Sequence, residues 1–198
     1  MVVNGVRAKQ AEATRARLRR RARRLFATKG YASASTEDLV RTTGLTKGAL
    51  YHHFGDKEGL FRSVVEDLER ELAQAVGQAT EAEADPWRRL ELACKAYLEI
   101  SLRPDVARIL VLDAPSVLGW HEWCEIDKQY GVAMFDKTLR QAMVAGVVRA
   151  QPTGTLAQVL LGALNVAARV AATRSEDRDE VWFTVARLLS GLRTPSAP

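Results

Sequence analysis

The chain predicts an all-α fold, on three observations. No stretch alternates apolar and polar residues with the period of two that a half-buried strand shows. Apolar residues instead recur three and four apart over long windows, as one face of a helix requires. Glycines, prolines and capping residues punctuate the ends of most of those windows. The pattern divides into an N-terminal three-helix head over residues 1–58, a larger helical body over residues 59–193, and a tail over residues 194–198 expected to be disordered.

The first helix is predicted from about Gln10 to Lys29, with Leu18, Ala22, Leu25 and Phe26 as its inner stripe. Arg15, Arg17, Arg19, Arg20, Arg21, Arg23 and Arg24 cover much of the rest, and Gly30 stops it. Ser35-Thr36-Glu37-Asp38 opens the second helix, with acids in the first turn to meet the helix dipole. Leu39 and Val40 face inward. Gly44 suits the left-handed backbone that ends a helix sharply, and Thr46 suits the N-cap of the next. That third helix is short. It offers Lys47, Ala49, Tyr51, His52 and His53 outward, with Leu50 and Phe54 four apart on the inner face. The fourth begins at Asp56-Lys57, carries Leu60, Phe61, Val64, Val65, Leu68 and Leu72 inward, and fades between Gly77 and Asp85.

Five helices follow. One runs from about Pro86 to Leu102, with Trp87, Leu90, Cys94, Tyr97 and Leu98 along one face. After Pro104 comes a segment with Val106, Ile109, Leu110 and Leu112, expected to break at Pro115 and Gly119. A long helix is predicted from Trp120 to about Gly146, and Gln151 to Gly154 makes a turn. A nearly all-apolar helix runs from Thr155 to Thr173, and a last one from about Asp179 to Leu192.

Charge is unevenly placed. Residues 1–62 hold fourteen Lys and Arg against five acids, and residues 63–198 hold fifteen against nineteen, so a net +9 end joins a net −4 body. A basic end suits a polyanion there. No apolar run reads as long enough to span a membrane, and the N-terminus shows no apolar signal core. Cys94 and Cys124 make neither a disulfide framework nor a metal spacing, and read as buried thiols. The expected location is the cytoplasm.

Thr43 to Lys57 is the most informative stretch. It reads as the turn, recognition helix and following helix start of a DNA-binding helix-turn-helix, and Lys, His and Tyr on the short helix can reach phosphates and base edges. With Leu25-Phe26, Gly30-Tyr31, Thr36, Leu39-Val40, the run Thr43-Gly44-Leu45-Thr46-Lys47-Gly48-Ala49-Leu50-Tyr51-His52-His53-Phe54, then Lys57-Glu58 and Leu60, the head resembles the DNA-binding domain of the TetR family of transcriptional regulators. Asp113 to Trp120 resembles one subgroup of that family's C-terminal domains. The resemblance implies a homodimer of nine-helix subunits on a pseudo-palindromic double-stranded DNA operator, and a small-molecule effector in the body that moves the heads apart. It assigns base-facing positions to Lys47 and Ala49. Phosphate contacts go to Tyr51, His52 and Lys57, and backbone contacts to Ser35 and Thr36. Thr46 belongs to the same interface, and His53 is divided between phosphate contact and local packing.

In the body, Trp120, Trp123, Asp127, Tyr130 and Met134 share one helix face, and Trp87 and Tyr97 can join them, as a pocket or as an ordinary core stripe. Polar residues on apolar helices are a second signal, because burying them unpaired is costly. These are Asp113, Asn165 and Arg169. Asn165 reads equally as partnered or ligand-facing, and Arg169 reads first as an interface or ion-paired residue. His121, Cys124 and Glu125 share a face but lack a fourth ligand, so no metal is expected, and no cofactor. The last two helices carry more apolar residues than one subunit easily hides. Leu156, Leu160, Leu164, Val181, Val185, Leu188 and Leu192 are the expected dimer surface.

Three function classes compete. A DNA-binding repressor released from its operator by a small apolar or aromatic effector explains the motif, the charge and the body together. An enzyme lacks support, since no nucleophile–base pattern, Gly-rich phosphate loop, HExxH or paired-cysteine motif occurs. A general DNA-coating protein explains the charge but not the short capped helix.

Overall fold

The computed structural model describes residues 2–44, 46–174 and 178–194. Leu45 of the turn and residues 195–198 of the expected tail lie outside them. Among the described residues the chain forms nine helices: α1 (Val2–Ser33), α2 (Thr36–Thr43), α3 (Lys47–Phe54), α4 (Lys57–Thr80), α5 (Pro86–Ser101), α6 (104–117), α7 (120–144), α8 (Thr153–Thr173) and α9 (Arg178–Ser190). An isolated antiparallel bridge, Val148 to Arg193, is the one extended pairing among them.

Helix α1 begins at Val2, earlier than the sequence suggests. It turns sharply at Gly30, whose φ of +75° would strain any residue with a side chain. The guanidinium of Arg108 occupies the space where a Cβ would sit and would have to swing aside for one. Phe26, Tyr31 and Phe61 interlock there; the Phe26 and Phe61 rings meet edge-on at 5.1 Å. From this cluster one apolar core runs without interruption through α4, α5, α7 and α8 to Leu189.

Two helices carry wide π-type turns, Ala107–Asp113 in α6 and Lys128–Val132 in α7. Such turns concentrate at functional sites. The first explains why Pro115 does not break α6: the wide turn already interrupts regular i→i−4 pairing, so a residue without an N–H is tolerated. Gly119, at φ +76°, makes the break instead.

Two further expectations are corrected. Thr194 is tied down, its N–H donating to the Val147 carbonyl at 3.0 Å. Helix α8 is, by length and composition, apolar enough to cross a membrane. Here it packs on the body through Ala157, Leu161, Leu164 and Ala168.

Candidate functional site

The head is built from three capped helix starts and one capped end. Ser35 Oγ accepts from the Asp38 N–H at 3.0 Å, Thr46 Oγ1 from the Ala49 N–H at 3.2 Å, and Asp56 Oδ1 from the Gly59 N–H at 2.7 Å. Each satisfies a backbone donor that a helix start leaves free. Gly44 ends α2 at φ 71°, its N–H donating to Val40. Arg21 reaches from α1 and donates to the carbonyls of Thr42 and Thr43, both at 3.1 Å, so α1 clamps the turn before α3.

Leu50 anchors α3 in the core. Lys47, Tyr51 and His52 are exposed on its outer side, with Ala49 and His53 half-buried beside them. The Lys47 ammonium lies 3.7 Å from Glu37. Lys57, at the start of α4, stands 4.1 Å over the Tyr31 ring, and its partial burial lowers its pKa. Thr36 is half-buried at the start of α2.

Not all of the arginine excess faces outward. Arg19 pairs with Asp67, and Arg23 with Glu71 and Asp105, tying α1 to α4 and α6. Arg15, Arg17, Arg20 and Arg24 remain exposed.

A cavity of about 140 Å³ opens in the body among α4, α5, α6, α7 and α8. Leu72, Leu110, Val111, Pro115, Trp120 and Trp123 supply its apolar wall, and Glu69, Tyr97, Ser101, Asn165 and Arg169 its polar groups. The Tyr97 hydroxyl donates to Asn165 Oδ1 at 2.6 Å, and Asn165 Nδ2 donates to Asp127 Oδ2 at 2.8 Å. Burial pushes the Asp127 carboxyl up to about 6, partly offset by the Asn165 hydrogen bond. Burial, and then the neighbouring Asp127, hold Glu69 well above the usual carboxylate range. Burial raises Tyr97 as well, with both acids adding to the effect.

Of the residues expected in a pocket, Tyr97, Trp120, Trp123 and Asn165 come together, with Asp127 directly behind Asn165. Three do not. Trp87 is buried elsewhere, under the Arg193 guanidinium at 5.2 Å. The Tyr130 hydroxyl accepts from Arg70 at 3.1 Å, outside the cavity. Asp113 faces the head, where it accepts from the Tyr31 N–H at 2.8 Å and pairs with Arg108 at 3.4 Å. Glu69 is not among the residues expected in a pocket. Its signal was an acid within the Val65, Leu68, Leu72 stripe of α4, where burial requires a reason. Among the described residues no group of three possible ligands could hold a metal, and His121 is exposed.

Of the residues expected at the dimer surface, Leu188 is exposed in the subunit. Leu160, Leu164 and Val185 are buried within the subunit, and Leu156, Val181 and Leu192 are half-buried. The open apolar surface consists of Val159, Val166 and Val170 on α8 with Leu188 on α9, and Phe183, five residues from Leu188, is exposed on a different side of α9. On a helix apolar nearly all round, periodicity does not reveal which stripe faces the core.

Residues 18–64 match the family described as bacterial regulatory proteins, tetR family, and residues 87–192 match the tetracyclin repressor-like C-terminal domain. A TetR-family transcriptional regulator from Pectobacterium atrosepticum superposes with a TM-score of 0.85 at 33% identity, covering 96% of this chain and 98% of that one. The HTH-type transcriptional repressor AcnR of Corynebacterium glutamicum is 36% identical over 104 residues, 49% of this chain and 55% of its own length. An HTH-type transcriptional repressor of Mycobacterium tuberculosis is 33% identical over 121 residues, 61% of this chain and 62% of its own. The chain thus spans about half to three-fifths of the length of these two curated relatives.

Proposed function

The chain belongs to the TetR family of DNA-binding transcription regulators, which are not enzymes, and from that premise we propose that it is a cytoplasmic homodimeric repressor released from its operator by a small molecule. The observation that carries the reading is the outer side of α3. Lys47, Tyr51 and His52 stand exposed on a helix fixed by the Thr46 cap, by the Arg21 clamp and by Leu50. A rigid helix with a cation and two aromatic donors is what direct and phosphate readout in a major groove demands. In this reading Ala49 leaves room for a base edge, Lys57 and His53 flank the phosphates, and Ser35 and Thr36 bring the start of α2 to the backbone. Residues 1–58 form the reading head and residues 59–193 the effector and dimer body.

The open apolar face of α8 and α9 serves as the dimer surface. Two copies of this pair related by a two-fold axis form a four-helix bundle, and two heads then read half-sites about one DNA turn apart.

The cavity serves the effector. Its walls reach the head by two routes. Leu72 and Glu69 lie on α4, whose first turn carries Lys57. Leu110 and Val111 lie on the wide turn of α6, whose Arg108 and Asp113 touch Gly30 and Tyr31. An effector that fits only one spacing of the heads shifts the equilibrium toward it. Footprinting against the DNA flanking the chain's own gene tests the reading: a protected pseudo-palindrome supports it, and binding no tighter than to random DNA refutes it.

A further inference from the structure

We propose that the cavity takes a small organic cation, its ammonium group held by Glu69 with the Asp127 charge behind Asn165 adding to the attraction, and its apolar body against Trp120, Trp123 and Leu110. The inference rests on the reading of the cavity as the effector site and names the chemistry that site selects.

Glu69 is 4% exposed, lines the cavity, and accepts no hydrogen bond among the described residues. Asp127 is 8% exposed; one of its oxygens takes the Asn165 amide and the other has no partner. Asn165 is itself held in that orientation by the Tyr97 hydroxyl. A carboxylate buried without donors is among the most costly groups a fold can carry, and here two stand beside each other. A proton on the pair relieves part of that cost. An ammonium ion relieves more, because it donates to Glu69 and its charge offsets the repulsion between the two carboxylates. An anion is repelled, and a neutral apolar molecule leaves both acids as they were.

The walls agree with this choice. The Trp120 and Trp123 rings lie 5.3 Å apart at 45°, and Tyr97 adds a third aromatic to the lining. Aromatic faces attract cations through their quadrupole. The titratable and charged groups facing the pair are Tyr97 from α5, Cys124 on α7 itself, and Arg169 from α8. Arg108 and Asp113 of α6 face the head instead. Arg169 is exposed at the mouth, where solvent screens its repulsion of an entering cation.

Three probes of one shape isolate the charge: benzylamine, benzyl alcohol and benzoate, titrated into the full chain and read by tryptophan fluorescence and thermal shift. The expected order is benzylamine first, benzyl alcohol weaker by about ten-fold or more, and benzoate without effect. Benzylamine affinity should rise from pH 5 to pH 7.5, by up to about ten-fold per unit for one displaced proton, because the cation replaces a proton the pair holds at low pH. In Glu69→Gln the preference for benzylamine over benzyl alcohol should vanish, and in Asp127→Asn it should weaken, while benzyl alcohol binding persists and certifies the fold. Benzyl alcohol or benzoate binding as tightly as benzylamine overturns the cation assignment and leaves the cavity reading standing. A benzylamine preference surviving both substitutions overturns the role of the acid pair. No response to any probe, from a protein that still binds its operator, overturns the cavity reading along with the inference.

Discussion

The backbone N–H of Tyr31 donates to the Asp113 carboxylate at 2.8 Å, so a side chain on the wide turn of α6 holds the chain at the Gly30 bend within α1. The same turn contributes Leu110 and Val111 to the cavity wall. Head and cavity are therefore joined by one helical turn. Asp113→Ala should lower stability by about 1–3 kcal/mol, the cost of a lost charge-assisted hydrogen bond with Arg108 left unpaired. It should also blunt effector-driven release of DNA. Unfolding in urea and an operator-release titration check the two effects separately.

Lys47→Ala should weaken operator binding by about 1–3 kcal/mol and relax base preference in one half-site, as expected for a base contact. Lys57→Ala should weaken binding to all sequences alike and make the salt slope shallower by about one unit. Gel-shift titrations at several salt concentrations separate the two, and a triple Lys47, Tyr51 and Lys57 variant with undiminished affinity would remove α3 from the interface.

The unmodified protein should scatter light as twice its 21.9 kDa chain mass. Leu188→Glu or Val159→Glu should reduce that to one chain and abolish operator binding, because both side chains are exposed in the subunit and the charge costs nothing until a partner buries it. Leu164→Glu is the contrasting variant: that position is fully buried, so the subunit itself should unfold.

Glu69 and Asp127 have carboxyls raised above their ordinary range. The folded state then holds protons that the unfolded chain releases, so their contribution to stability is most favourable below the ordinary carboxylate pKa. It declines as pH rises toward and past about 6, the value to which Asp127 is raised. Glu69→Gln should remove part of that decline. Its melting midpoint should exceed that of the unmodified protein at pH 7.5 and approach it at pH 5, at roughly 2–4 °C per kcal/mol for a chain of this size. A midpoint difference that is the same at both pH values would contradict the raised carboxyl.

The head was legible because its signals are local. Ser35, Thr46 and Asp56 cap helices through atoms three residues away, and Gly44 turns within its own tetrapeptide. The Arg21 clamp was not legible, since an arginine in a basic run looks the same whether it holds a carbonyl or faces solvent. The aromatic face of α7 was legible as a stripe. Its division into Trp123 and Trp120 at the cavity and Tyr130 outside depends on the neighbours that α4 and α8 bring.

The sequence by itself determined the helices, their caps, the outer side of α3 and the family, because each is specified within a few turns of chain. Tertiary structure alone decided which stripe of α8 meets the core and which stays open, that Asp113 serves the head and not the cavity, and that Glu69 and Asp127 share a buried site. Tyr97 and Asn165 are 68 residues apart, and Asn165 and Asp127 are 38 apart. The burial and charge state of such groups are set by whatever packs against them, and no local pattern carries that information.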